Sequence, residues 1–238
     1  MISCIAAVVL CTSAFAEDIC VVYAEKGYMP YYSADATRGM YIEFLKKFEK
    51  HHPQFPFVLK PYSRKRMTLM MQNGDAHVFA LNSPAFADTK AYLFTETIWK
   101  ETSVIFMRTN DLFLFKEPSN LFGKRLGIIL GNKYPALERY FQSKDIETHD
   151  VVSSVQLFKL LRSKRIKAFV GDKYVTLYRL KQEGFEGQFE YASTPLFEFD
   201  LTIQVQKTHQ PLVDAMNRFI QESKDNGFLY SLEEKYVQ

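Results

Sequence analysis

Residues 61–83, PYSRKRMTLMMQNGDAHVFALNS, decide how the chain reads. Met67, Leu69, Met70 and Met71 mark an amphipathic helix over about 66–72, turned toward a core. Asn73-Gly74-Asp75 is a turn, and Val78 to Leu81 is a short apolar strand that runs into the polar turn Asn82-Ser83. Arg64, Lys65 and Arg66 crowd the start of the helix, where the macrodipole already places positive charge. Such a local conflict suggests that an anionic or polar group sits there, against the plainer reading of a solvated basic turn.

Outward from this stretch the same unit repeats. Before it come a β-branched strand, Ile19 to Tyr23, a polar loop 24–38, a helix from Met40 to His51 and a strand from Phe57 to Lys60. After it, a long apolar strand from Thr102 to Met107 leads to a second alternation. That alternation comprises strand Leu126 to Leu130, helix Tyr134 to Phe141, a helix carrying Leu157, Phe158, Leu160 and Leu161, and strand Ile166 to Gly171, ending on Asp172. Helix Tyr174 to Gln182, strand Leu201 to Val205, helix Pro211 to Lys224 and a last helix complete the chain. Strand–helix alternation predicts α/β architecture with helix-covered, mostly parallel sheets. Two such halves predict two lobes that turn strand ends toward a shared cleft, where ligands of this architecture collect.

Composition narrows the class. The chain has 238 residues, 47% of them apolar and 15% aromatic, with a net charge of +3. So mild a charge gives no support for a nucleic-acid partner. Residues 1–16 read as a secretory signal peptide: Ile2 to Leu10 is apolar, and Ala14-Phe15-Ala16 is a cleavage pattern. The expected address is therefore the periplasm. Cys4 and Cys11 fall in that segment, so Cys20 alone remains, in a buried strand and with no disulfide partner. His51, His52, His77, His149 and His209 are scattered, so no metal and no cofactor is expected.

Several motifs, in order and spacing, resemble the bacterial extracellular solute-binding proteins, family 3. Arg38-Gly-Met-Tyr-Ile-Glu-Phe-Leu resembles that family's GFDVDLA helix start. Met71-Gln-Asn-Gly-Asp-Ala-His-Val-Phe is similar to LQSGKVDAVI, and Phe94-Thr-Glu-Thr-Ile-Trp to FSDPYY. Leu121 to Gly131 resembles LKGKRVGVQAG, Lys167 to Asp172 resembles VDAVVVD, and Ser223 to Tyr236 resembles KADGTLAKIYEKW. The resemblance implies the two-lobed type II periplasmic binding fold. Lobe 1 would be 17–107 with 206–238, and lobe 2 would be 108–205, with hinge crossings near 104–108 and 203–207. It implies capture of a small polar solute by hinge closure for a membrane ABC-type transporter, by a monomer without catalysis.

One departure bears on the ligand. Amino-acid binders of the family carry an Arg that grips the α-carboxylate, and here Asp88 or Thr89 stands in its place, beside Lys90. The ligand is therefore not expected to be a standard α-amino acid held in the usual way. Asp172 matches the family's ammonium-binding Asp, although it also suits a helix N-cap. Arg64 and Arg66 are the candidates for a relocated anion contact. Asn82 and Ser83 offer polar groups, and Asn132 and Lys133 lie at a helix start suited to anions or carbonyls. Tyr28, Tyr62 and Trp99 are candidates for stacking, and Glu25 for a polar contact in the loop after the first strand. Two rivals are a ligand-sensing partner of a membrane receptor and a periplasmic cyclohexadienyl-dehydratase-like enzyme on the same fold, with Glu25 or Asp172 as its acid.

Overall fold

The computed structural model describes residues 18–132 and 134–237. The expected signal peptide and Lys133 lie outside these residues. In chain order the elements begin with β1 (Ile19–Ala24), α1 (Met40–His51), β2 (Phe57–Tyr62), α2 (Arg64–Asn73), β3 (Val78–Asn82), β4 (Tyr92–Phe94) and β5 (Trp99–Arg108). There follow β6 (Arg125–Ile129), α3 (Glu138–Gln142), β7 (Glu147–Val151), α4 (Ser154–Arg162), β8 (Ala168–Asp172) and α5 (Lys173–Gln182). The chain ends with β9 (Phe189–Tyr191), β10 (Phe197–Gln206), α6 (Gln210–Asp225) and α7 (Phe228–Val237).

The strands form one curled mixed sheet in the order β2-β1-β3-β10-β5-β8-β6-β7. On one side β1 pairs parallel with β2 and β3; on the other β6 pairs parallel with β7 and β8. β5 and β10 are antiparallel to each other, from Trp99 opposite Leu201 to Ser103 opposite Phe197. Beyond this ladder β10 turns to β3 and β4, and β5 turns to β8 and β9. The two strands therefore carry the chain between the lobes, and their mutual pairing lies upstream of 104–108 and 203–207.

Each lobe has its own cores. In the first, Met40, Tyr41, Phe44 and Phe48 of α1 pack with Phe219 and Ile220 of α6 over one face of β1 and β3. Gly39 opens α1 with φ 124, and any Cβ there would run into the Tyr31 carbonyl. On the opposite face Met67, Met70 and Met71 of α2 cover Cys20, Val22 and Phe79. Leu69, expected in that core, is instead 42% exposed. The reason is that α2 begins at Arg64, and its buried side comprises residues 67, 70 and 71. Gly74, in the left-handed conformation, ends the helix and donates to the Met70 and Met71 carbonyls. The second lobe packs Leu157, Phe158 and Leu161 of α4 against Phe106 and Phe169, with Leu121, Leu126 and Leu137 on the other face.

One expected helix needs correction, and one strand is not foreshadowed in the sequence. The helix expected over Tyr134 to Phe141 is only α3, preceded by turns at 135–137. The Tyr134 side chain folds back instead, and its hydroxyl accepts the Ile129 N–H at the end of β6. The edge strand β7 (ETHDV) is too polar to show as a strand in the sequence, yet it pairs with β6 along its whole length.

Candidate functional site

A cavity of about 680 Å³ lies between the lobes, walled by both of them and by the crossing strands. Its walls are the carboxyl ends of β1, β3, β6 and β8 with the loops and helix starts that follow, as the parallel halves of the sheet require.

On the first lobe, Arg64 stands in the first turn of α2. Its Nη2 donates to Asn82 Oδ1 at 3.1 Å, and its guanidinium lies 5.5 Å from the Phe79 ring centre. Asn82 is buried at the end of β3, and its Nδ2 donates to Gln204 Oε1 at 2.6 Å. Its backbone carbonyl accepts from the Thr202 hydroxyl at 2.8 Å. The next residue, Ser83, caps a short 3₁₀ turn, its hydroxyl accepting the Ala85 N–H.

On the second lobe, Asp172 ends β8 and caps α5, Oδ1 accepting the Val175 N–H at 2.7 Å. Its Oδ2 is shut off from solvent and makes no hydrogen bond of good geometry, although the Thr102 and Tyr174 backbone N–H groups also face the carboxylate. Burial is the main cause that lifts its pKa to about 7; Glu101 adds to the shift, while the backbone N–H groups of Val175, Thr102 and Tyr174 oppose it. Gly171 leaves no room for a side chain, because a Cβ would meet the Thr176 hydroxyl. The close seat of α5 against β8 thus holds Asp172 at the cavity wall. Gly131 and Asn132 line the same wall after β6.

Glu101, on β5, was not anticipated. The Tyr28 hydroxyl donates to its Oε2 at 3.1 Å, and burial raises its pKa, with the Tyr28 hydrogen bond and Arg64 opposing. Tyr28 stacks on Tyr31 at 5.0 Å, and Tyr31 packs on Trp99 at 5.6 Å. Trp99 is therefore a buried support behind Tyr28 and is not in the cavity lining. The signal for Glu101 was available in Trp99-Lys-Glu-Thr-Ser, where strand alternation places residues 99, 101 and 103 on one side of β5.

Of the residues singled out from sequence, Tyr28, Arg64, Asn82, Ser83, Asn132 and Asp172 meet in this cavity. Glu25, Tyr62 and Arg66 stand outside its lining, with Glu25 and Arg66 exposed and Tyr62 packed beside the α2 core. Among the described residues no group of His, Cys, Asp and Glu is arranged to hold a metal ion, and no helix is long and apolar enough to cross a membrane.

A two-lobed α/β protein with a mostly apolar cavity at its lobe junction, carrying a few polar groups from both lobes, is the architecture of solute-binding domains. The profile of the bacterial extracellular solute-binding proteins, family 3, matches residues 20–238, and the chain belongs to that family. The second substrate-binding domain assigned to an amino acid ABC transporter of Streptococcus pneumoniae has a similar fold, with a TM-score of 0.74 at 16% identity. That match covers 93% of this chain and 100% of the other. Substrate-binding domain 2 of Lactococcus lactis GlnP, in its open conformation, also gives 0.74, at 18% identity over 92% and 95% of the two chains. The GluR0 ligand-binding core of Nostoc punctiforme, in complex with L-glutamate, gives 0.62 at 18% identity over 92% and 98%. A comparison with curated proteins gave no sequence match.

Proposed function

We propose that this protein captures a small polar solute in the interlobe cavity without changing it chemically, and delivers it to a membrane ABC-type transporter. The observation that carries this reading is the cavity itself, whose polar groups come from both lobes: Arg64, Asn82 and Ser83 face a wall with Asn132 and Asp172. A ligand touching both walls favours the closed arrangement by its differential affinity, and β5 and β10 serve as the pivot. The lobes divide within the β5–β10 ladder, which leaves Phe106 with the second lobe and Ile203 with the first instead of dividing at 107/108 and 205/206; the chain is exported to the periplasm and acts as a monomer. The solute is not held as a standard α-amino acid, because Asp88, Thr89 and Lys90 are exposed and lie outside the cavity lining, while Arg64 lies within it.

The test is a thermal-shift panel of amino acids, amines, organic acids and sugars on ligand-stripped, refolded protein, with small-angle scattering on any hit. Binding raises the melting temperature by mass action and reduces the radius of gyration. The reading fails if no solute shifts the melting temperature, or if a hit survives both Arg64→Ala and Asp172→Ala.

The dehydratase reading draws on one feature, the Asp172 carboxyl that stays protonated up to about pH 7 and so has a proton to donate. Against it, Arg64 is the one cation among the described lining residues, where a dicarboxylate substrate calls for more. Turnover of prephenate or arogenate by purified protein would decide for the enzyme.

A further inference from the structure

Three aromatic rings at the cavity are anchored in none of the described cores. Phe197 and Phe199 lie on β10, and Phe86 closes the short 3₁₀ turn that follows Ser83. All three line the cavity. Phe197 and Phe199 are half-buried yet pack against none of the described cores, and Phe86 is 60% exposed. They meet one another instead. Phe86 stands edge-on to Phe199 at 4.6 Å between ring centres, and Phe197 lies 5.1 Å from Phe199.

Sheet register brings the rings to the cavity. Phe197 sits opposite Ser103 of β5, and Phe199 sits opposite Glu101, so the rings share a face of the ladder with these polar groups. Glu198 and Asp200 alternate to the other face, where they line a separate hollow behind the crossing strands. The apolar choice at 197 and 199 is therefore specific to the cavity side of β10. Leaving three rings partly in water costs free energy that an apolar occupant recovers. Their centre-to-centre spacing is that of an aromatic cluster, and a further ring entering from the cavity extends it at ordinary stacking distances.

We propose that Phe86, Phe197 and Phe199 form an aromatic subsite that takes a ring at one end of the solute. The proposal rests on the solute-binding reading above and assigns that solute its chemical class: a small amphipathic molecule, with an aromatic ring against these residues and a polar group on the neighbouring hydrogen-bonding groups of the cavity. Phe86 sets the preference, because its ring is the most exposed of the three and gains most from being covered.

The experiment is calorimetric titration of ligand-stripped, refolded protein with probes in matched pairs, each ring-bearing compound beside its ringless partner. The pairs are phenylacetate and acetate, phenethylamine and ethylamine, and benzamide and acetamide. The expected result is that at least one ring-bearing probe binds, about tenfold or more tightly than its partner, the scale of burying a ring. Phe86→Ala and Phe199→Leu should each weaken that probe about fivefold or more. Phe86 is exposed and Phe199→Leu keeps the strand apolar, so an unchanged melting temperature shows that the weakening is not unfolding. Equal binding of a pair, ring binding that ignores both substitutions, or hits among the wider solutes with none among the ring-bearing probes overturns the aromatic subsite and leaves the solute-binding reading standing. A panel in which nothing binds, together with no hit among the wider solutes, removes both.

Discussion

The two walls of the cavity are built from the same unit, a parallel strand running into a helix start, yet they differ in how fully their polar groups are satisfied. On the first lobe Arg64, Asn82, Gln204 and Thr202 form a closed set of hydrogen bonds. On the second, Asp172 has one oxygen bonded to the Val175 N–H and the other shut off from solvent without a hydrogen bond of good geometry, near the half-buried carboxylate of Glu101. A satisfied wall is a preformed surface. An unsatisfied one carries a desolvation cost in the free protein that a ligand of opposite charge can remove. The two walls therefore differ as surfaces: the first lobe offers a hydrogen-bonded, preorganised one, and the second a carboxylate that is costly to ionise.

The largest effect tests the unsatisfied wall. Asp172→Ala removes both the charge and the cap of α5; ligand affinity should fall about a hundredfold, the scale of a charged hydrogen bond, and stability by about 1 kcal/mol. Calorimetry and urea denaturation measure the two losses separately. Next, Asn82→Ala opens the satisfied wall, leaving Arg64 and Gln204 without their partner; it should cost about 1–3 kcal/mol in urea denaturation. A loss much below that range would show that this wall is less tightly satisfied than its hydrogen bonds indicate.

The pH dependence of the free protein sharpens the contrast. The folded-state pKa of Asp172 is raised to about 7 from 3.8, so in that interval the folded protein keeps a proton that the unfolded chain has released. Its contribution to stability is fully present below the unfolded pKa and is lost as pH rises toward 7. The groups that share its field are Glu101 on β5, Tyr28 and Tyr31 in the loop after β1, and Tyr174 on α5. Asp172→Asn should therefore match the wild type near pH 4 and exceed it increasingly toward pH 7, as followed by thermal melts. The smallest effects come last. Tyr28→Phe removes one hydrogen bond from Glu101 and should change affinity by about 1 kcal/mol. Arg66→Ala, on an exposed surface outside the cavity lining, should stay within about 0.5 kcal/mol in both affinity and stability.

The fold was legible because it rests on periodicity. The apolar spacing of α1, α4 and α6, the Gly74 stop and the apolar runs of β1, β3 and β8 each point to their element without any partner in view. Asp172 was legible for the same reason, as a residue ending a strand. What escaped depends on how strands pair. Glu101 reads as one more charge in a polar stretch until its strand is extended back to Trp99 and its neighbour is known to be β8. Trp99 reads as a stacking residue until Tyr31 is seen to lie against it, and β7 is held by its neighbour β6 rather than by its own residues. Basic charge at the start of α2 did point to the cavity, but through Arg64; Arg66, two residues on, is outside the lining.

Native mass spectrometry of protein purified without denaturation, wild type beside Arg64→Ala and Asp172→Ala, tests the central claim, capture of a solute by both walls of the cavity, most directly. The account predicts a single bound small polar molecule per chain in the wild type and its loss from both variants. An adduct held equally by all three proteins would contradict it.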